Sequence, residues 1–206
     1  SLFPVQFVLQ GSAPGKTMPF SWLFYYIKYK DKKILVDTGF NNPKFIAMFN
    51  IKNYVKPSEL LQQHSIRPED ITDIILTHAH FDHADGIDSF PSARIIISAA
   101  ELEEVKAGRY GTLIREKFKG HSGITTFDDE YLLYDIFRIK KTGGHSAGSS
   151  VIFVDYGNTH ICFTGDEVYT KENLDRGIMN GTVTNYSNNM NFIKNYDKKY
   201  IPLTMH

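Results

Sequence analysis

Cys162 is the only cysteine among 206 residues, so no intramolecular disulfide can form and the redox compartment stays open. It sits in the apolar run Ile161-Cys162-Phe163 and reads as core rather than as a reactive thiol. Net charge is missing too: 23 basic residues balance 23 acidic ones. A protein that grips phosphate backbones ordinarily carries a basic excess, so nucleic acid is not an expected partner. No run approaches the roughly 20 apolar residues of a membrane helix, so no membrane is expected either. The segment Leu2 to Leu9 has no basic stretch ahead of it and is too short for a signal peptide. A cytoplasmic location is therefore the expectation, with room for a leader removed before Ser1. Linkers, low-complexity tracts and short repeats are absent. With 42% hydrophobic and 22% charged residues, the chain is expected to form one globular domain over residues 1–206.

Apolar runs bounded by turn residues give the element order. Phe3 to Gln10 and Phe20 to Lys30 read as strands around a loop of Gly11, Ser12, Pro14 and Gly15. Lys33 to Asp37 is a third strand after a lysine-rich hairpin tip, and residues 40–56 read as irregular and aromatic. Pro57 to His64 starts as a helix with Pro in its first turn. Residues 71–77 form a buried strand, Ala93 to Ser98 another, and Ala99 to Ala107 a helix. Tyr131 to Lys140, Ser149 to Tyr156 and Thr159 to Thr164 read as strands, Asn188 to Tyr196 as a helix and Tyr200 to Leu203 as a last strand. Strands, then strand–helix pairs, then strands again suit an α/β arrangement of two packed sheets with helices outside. Two strand ends echo each other: Ile34-Leu35-Val36-Asp37-Thr38-Gly39 and Ile161-Cys162-Phe163-Thr164-Gly165-Asp166 each deliver an Asp beside a Gly.

The densest signal is His78-Ala79-His80-Phe81-Asp82-His83. Four metal-competent side chains fall within six residues, where a buried strand ends. Strand ends are the usual place for sites in open α/β sheets. Imidazole and carboxylate suit zinc, iron or manganese, and no thiolate points to a softer ion. Further candidates follow at other strand ends: His145 after Gly143-Gly144, Asp166 in Thr164-Gly165-Asp166, and His206. The two glycines let the backbone bend sharply to present His145. His64, His121 and His160 carry no motif and are expected at the surface.

This ordered set resembles the metallo-β-lactamase superfamily across nearly the whole chain. The resemblance implies an αββα sandwich of two mixed β-sheets flanked by helices, with a two-metal site. It places one cation on His78, His80 and His145 and the other on Asp82, His83 and His206, with Asp166 and a hydroxide bridging. Zinc is the default, with iron, manganese or cobalt open. Two dications against Asp82, Asp166 and one hydroxide leave about one positive charge, which favours a carbonyl oxygen and the oxyanion formed on attack. Asp37 is expected to support a ligand imidazole from behind. Asp85 departs from the family pattern, which has a small residue there. It is expected either to favour the positive end of a following helix or to repel anionic substrates.

The superfamily spans several chemistries, so the fold does not choose the substrate. The local run Asp166-Glu167-Val168-Tyr169-Thr170-Lys171-Glu172-Asn173 resembles the N-acyl-homoserine lactone lactonases. By that resemblance Tyr169 helps hold the oxyanion, Asp82 passes a proton to the leaving oxygen, and the bridging hydroxide attacks. Phe81 is a candidate for the substrate pocket, with Phe20, Trp22, Phe45, Met48 and Phe49 as looser ones. The expected function is a dinuclear metal-dependent hydrolase that opens a lactone ring in a small-molecule substrate, acting as a monomer or homodimer. The alternatives are a thioester hydrolase of the glyoxalase II type and a metal-binding module without turnover.

Overall fold

The computed structural model describes residues 1–206. The chain opens with β1 (Leu2–Pro4), the single turn α1 (Val5–Val8) and β2 (Thr17–Pro19). Next come β3 (Tyr25–Tyr29), β4 (Lys32–Val36), α2 (Pro43–Met48), α3 (Pro57–Gln63), β5 (Asp73–Ile75), α4 (Phe81–Ala84) and β6 (Arg94–Ser98). They are followed by α5 (Ala99–Lys106), α6 (Thr112–Lys119) and β7 (Ile124–Phe127). The last stretch holds β8 (Glu130–Leu133), β9 (Phe137–Lys141), β10 (Ser150–Tyr156), β11 (Thr159–Phe163), α7 (Lys171–Arg176), α8 (Tyr186–Lys194) and β12 (Ile201–Leu203). These elements form two compact units: Ser1 with 22–126, and 2–21 with 127–206.

The first unit is built on a five-stranded mixed sheet ordered β3-β4-β5-β6-β7. β3 and β4 form an antiparallel hairpin, while β4, β5 and β6 run parallel. Parallel strands lie between covered faces, so they read as continuous apolar runs. Ile34, Leu35 and Val36, and Ile95, Ile96 and Ile97, are fully buried. One face packs Leu35, Ile74, Ile95 and Ile97 against Leu61 of α3, Val105 of α5 and Ile114 and Phe118 of α6.

The second unit holds a five-stranded sheet ordered β12-β11-β10-β9-β8, antiparallel except for the parallel pair β11–β12. On one face Val151, Cys162 and Tyr200 pack with Phe153, Phe192 and Tyr196, so α8 and the turn after it are docked by aromatic residues. Burial raises the Cys162 thiol well above its ordinary range, in keeping with a core residue. A small two-stranded sheet pairs β1 with β2.

Local corrections have local causes. The strand expected over Phe3 to Gln10 stops at Pro4, which leads into the helical turn of α1. The strand expected over Tyr131 to Lys140 is a hairpin, β8–β9. Tyr134 and Asp135 both take positive φ (54° and 62°) at its turn. Asn-Gly would have announced such a turn, whereas Tyr-Asp does not. Within 40–56, Asn42 caps α2 by accepting from the Lys44 amide, with Pro43 at the first helical position. The helices α6 and α7 were not expected.

Candidate metal centre

In the first unit, parallel pairing sets two strand ends side by side. β5 runs into Thr77-His78-Ala79-His80, and the short helix α4 presents Asp82 and His83. β4 ends at Asp37, whose backbone takes φ 59°, a left-handed conformation uncommon for a residue with a side chain. The bend is held by the fully buried Asp37 carboxylate, which accepts from the Thr77 amide (2.8 Å), the Thr77 hydroxyl (2.8 Å) and His83 Nδ1 (2.7 Å). Burial raises the Asp37 pKa, and His83 and Thr77 pull it back.

These bonds fix proton positions. The Thr77 hydroxyl has one proton and gives it to Asp37 Oδ2. At His78 Nδ1, 3.1 Å away, its oxygen can only accept, so His78 carries its proton on Nδ1 and a lone pair on Nε2. His83 donates Nδ1–H to Asp37, which leaves its lone pair on Nε2 as well. His78 Nε2 faces His80 Nδ1 at 2.9 Å, and His83 Nε2 faces Asp82 Oδ2 at 3.5 Å.

Two buried carboxylates that the sequence reading did not place in this role brace the same loop. Glu101 Oε1 accepts from the Ala79 amide at 2.9 Å, in the middle of the histidine motif. Ser98-Ala99-Ala100-Glu101 has the spacing of a helix capping box; Ser98 does cap α5, but the Glu101 side chain reaches Ala79 instead. Asp85 is fully buried. Its Oδ2 accepts from the Asn41 and Asn42 amides (2.7 and 2.9 Å), and its Oδ1 meets Lys117 Nζ at 2.9 Å. Both expectations for Asp85 are corrected: a buried carboxylate paired with Lys117 and bonded to the Asn41 and Asn42 amides neither charges a helix end nor repels substrate.

In the second unit, β11 turns through Gly165 to Asp166, and β12 leads to His206. His206 does not fray: its side chain is 3% exposed, and Nδ1–H donates to the Ser21 carbonyl at 3.0 Å. Its Nε2 faces Asp166 Oδ1 at 3.1 Å, while His145 Nε2 lies 3.3 Å from Asp166 Oδ2. Each oxygen of Asp166 thus serves one imidazole.

The His145 loop is shaped by Glu167, a fully buried residue that the sequence reading passed over. Glu167 Oε1 accepts from the amides of Gly144 and His145 (both 3.1 Å) and from the hydroxyls of Thr142 (2.7 Å) and Ser149 (2.6 Å). Its Oε2 accepts from Asn189 Nδ2 at 2.8 Å. The approach is so close that a Cβ at position 144 would lie 2.3 Å from Oε2, which demands glycine there.

Within the first unit, His78 with His80 and Asp82 with His83 offer ligand atoms within 4.8 Å of each other. Within the second, Asp166 does so with His145 and with His206. A cation fits this chemistry. Imidazole nitrogens and carboxylate oxygens converge within each unit at 2.9–3.5 Å, with His78 Nε2 on His80 Nδ1, His83 Nε2 on Asp82 Oδ2 and His206 Nε2 on Asp166 Oδ1. Ligand atoms about 2.0–2.2 Å from a tetrahedral zinc are themselves about 3.3 Å apart. The donors are imidazole and carboxylate, which suit a borderline-hard dication.

Tyr169 stands beside the second donor set. Its ring meets His206 edge-on at 5.0 Å and lies 5.9 Å from His145, and its hydroxyl shares a 2.6 Å bond with Thr182 Oγ1. Phe20 spends both ring faces on packing, stacked on His206 at 4.3 Å and on Phe3 at 4.4 Å, so it supports a donor rather than offering a free surface. In the first unit Phe81 stacks on Phe45 (3.8 Å) and Phe49 (5.4 Å), with Trp22 5.8 Å away. Met48, another of the looser pocket candidates, is 59% exposed.

Two mixed sheets flanked by helices, with histidine and aspartate donors at their strand ends, define a metal-dependent hydrolase. Residues 19–206 match the sequence profile of the metallo-β-lactamase superfamily. An N-acyl homoserine lactonase from Bacillus thuringiensis is 27% identical, with 79% of this chain and 70% of that protein covered. A solved N-acyl homoserine lactone hydrolase, with N-hexanoyl-L-homoserine at its metal centre, aligns over 98% of this chain and 88% of its own at TM-score 0.85 and 22% identity. A dizinc quorum-quenching lactonase aligns over 88% and 70% at TM-score 0.69 and 22% identity. The chain belongs to the metallo-β-lactamase superfamily and has its fold. The glyoxalase II alternative finds no support among these relatives.

Proposed function

We propose that residues 1–206 act as one hydrolase domain that opens the ring of a lactone of the N-acyl-homoserine type. In this reading His78, His80 and His145 hold one divalent cation, Asp82, His83 and His206 hold a second, and Asp166 gives one oxygen to each. Zinc is the ion that the donor set suits first. When bound, the pair of cations supplies hydroxide near neutral pH and a Lewis acid for the carbonyl.

The chain's own groups do the rest. Tyr169 donates its phenolic proton to the carbonyl oxygen as negative charge builds there. Thr182, whose hydroxyl also donates to Asn180 Oδ1 at 3.3 Å, orients the phenol through the 2.6 Å bond between the two hydroxyls, and the phenolic proton turns to the carbonyl oxygen when substrate is bound. Asp82 carries a proton to the ring oxygen as the C–O bond breaks. Phe45, Phe49, Phe81 and Trp22 give the acyl chain an apolar surface. The observation that carries the lactone reading is the place of Tyr169, edge-on to His206 and next to His145.

The test is proton release in a pH-stat, with metal-loaded protein and a medium-chain N-acyl-homoserine lactone. Rapid release, abolished by His80→Ala, is the expected result. Release no faster than the uncatalysed rate would overturn the lactone reading and turn the search to other esters.

A further inference from the structure

A second cavity lies wholly within the second unit, among residues that donate nothing to the metal centre. Along β9, Phe137 and Ile139 are buried in the core, so Arg138 and Lys140 stand on the opposite face of the sheet. Their cross-strand partners on β10, Phe153 and Val151, share that face. α8 covers part of it through Phe192, and the turn after the helix does so through Tyr196. Between α8 and β9 a cavity of about 320 Å³ is left open, within the size range of small-molecule sites.

Its walls differ in chemistry. The floor is apolar, from Val151 and Phe153. One wall carries Asn188, Asn191 and Asn195, spaced to share one side of α8 and its C-terminal end. The other carries Arg138, Lys140 and Lys141, and Lys199 completes the rim. Four cations line the cavity against one carboxylate, Asp197. The Arg138 guanidinium lies over the Phe153 ring at 4.5 Å, which holds it at the floor. Arg138 and Lys141 also reach Glu130 and Asp129, at 3.6 and 3.2 Å, but those carboxylates are 48% and 91% exposed. Ion pairs that exposed are weak and exchange readily for a better anion. Lys140 has no ion pair. An excess of this kind on a chain of zero net charge is a local feature, and it selects against cationic and neutral ligands.

We propose that this cavity binds a small organic anion of the phosphate-monoester class. Arg138 and Lys140 on one wall and Lys199 at the rim offer three cations to one ligand, which suits a phosphate dianion better than a singly charged carboxylate. Asn195 holds the Asn191 amide by donating to its Oδ1 at 2.8 Å, which turns the Asn191 Nδ2–H groups to the anion's polar groups, and Phe153 takes its carbon skeleton. The site is independent of the lactone reading.

Isothermal titration of metal-loaded protein at low ionic strength tests it, with adenosine 5′-monophosphate as probe, adenosine as its uncharged counterpart and inorganic phosphate as the bare anion. The expected result is saturable binding of one nucleotide per chain, none of adenosine, and at least a tenfold weaker Kd in both Lys140→Glu and Lys199→Glu. Both substitutions are at the surface, and an unchanged melting temperature will show that each variant is folded. Asn195→Asp, which adds negative charge on the opposite wall, should weaken binding likewise. Weaker binding of inorganic phosphate that is lost in the same variants would support the site. Equal affinity in the wild type and the variants would place the anion elsewhere, the metal centre included, and overturn the proposal. So would the absence of saturable binding, or equal binding of adenosine.

Discussion

The two units deliver their donors in opposite ways. The first unit gathers four within six residues of one loop, while the second takes His145, Asp166 and His206 from three separate strand ends. Each relies on a buried carboxylate, used differently. Asp37 bonds an imidazole of the donor set directly, at His83 Nδ1, and reaches His78 through the Thr77 hydroxyl. Glu167 bonds backbone amides and hydroxyls and so shapes the loop that carries His145. In the first unit Glu101 and Asp85 share the bracing of the backbone, at the amides of Ala79, Asn41 and Asn42, so Asp37 can bond rings as well as the Thr77 amide. An irregular glycine loop has no ladder of its own, and the carboxylate replaces one. The strand-end echo between Ile34–Gly39 and Ile161–Asp166 is similarly divided. The first strand delivers a supporting Asp37, whereas the second delivers Asp166, which faces two imidazoles itself.

Removing the loop-shaping carboxylate should have the largest effect. Glu167→Ala strands the buried amides of Gly144 and His145, while the hydroxyls of Thr142 and Ser149 and the Asn189 amide keep backbone carbonyls. Each buried donor left alone costs about 1–3 kcal/mol, so a loss of several kcal/mol is expected in urea unfolding with metal chelated. A loss below about 1 kcal/mol would show that the loop keeps its shape unaided, and the contrast with Asp37 would fail.

Tyr169→Phe comes next. Lactone turnover should fall about 100-fold, as when one oxyanion donor is lost, with metal content by elemental analysis unchanged. Unaltered turnover would leave Tyr169 as packing for His206 and His145.

Asp37→Asn should weaken metal binding about 10- to 100-fold, the usual cost of losing the partner of a ligating histidine. Competition with a chromogenic chelator reads this directly. The expected loss in unfolding free energy is smaller than for Glu167→Ala, because fewer donors are stranded. If Asp37→Asn proved the more destabilising of the two, the roles assigned to the carboxylates would be reversed.

The smallest effect is expected for Met48→Ala. Its side chain is largely exposed, so stability should move by no more than about 0.5 kcal/mol, and the KM for a long-chain lactone should hold. Phe45→Ala, which uncovers the Phe81 face, should raise that KM. Equal responses would mean that the aromatic nest does not meet the acyl chain.

What could be read in advance was whatever is local. His78 to His83 lie within one turn of chain, so spacing alone exposed them as a cluster of donors. The parallel strands announced themselves as unbroken apolar runs because both their faces are covered. The β8–β9 hairpin stayed hidden because Tyr134 and Asp135 carry none of the usual marks of a positive-φ turn. Asp85 stood out by its charge, but its burial against Asn41, Asn42 and Lys117 depends on neighbours 32 to 44 residues away.

The sequence by itself therefore determined the donor types, their order, and the alternation of strand and helix that carries them, since composition and periodicity act over a few residues. Tertiary structure decided which carboxylates face imidazoles and which brace backbone amides, that His83 turns Nδ1 to Asp37, and that His206 is tethered to the Ser21 carbonyl. Those outcomes rest on hydrogen bonds between residues far apart in the chain, and only the folded backbone sets the distances over which such bonds form.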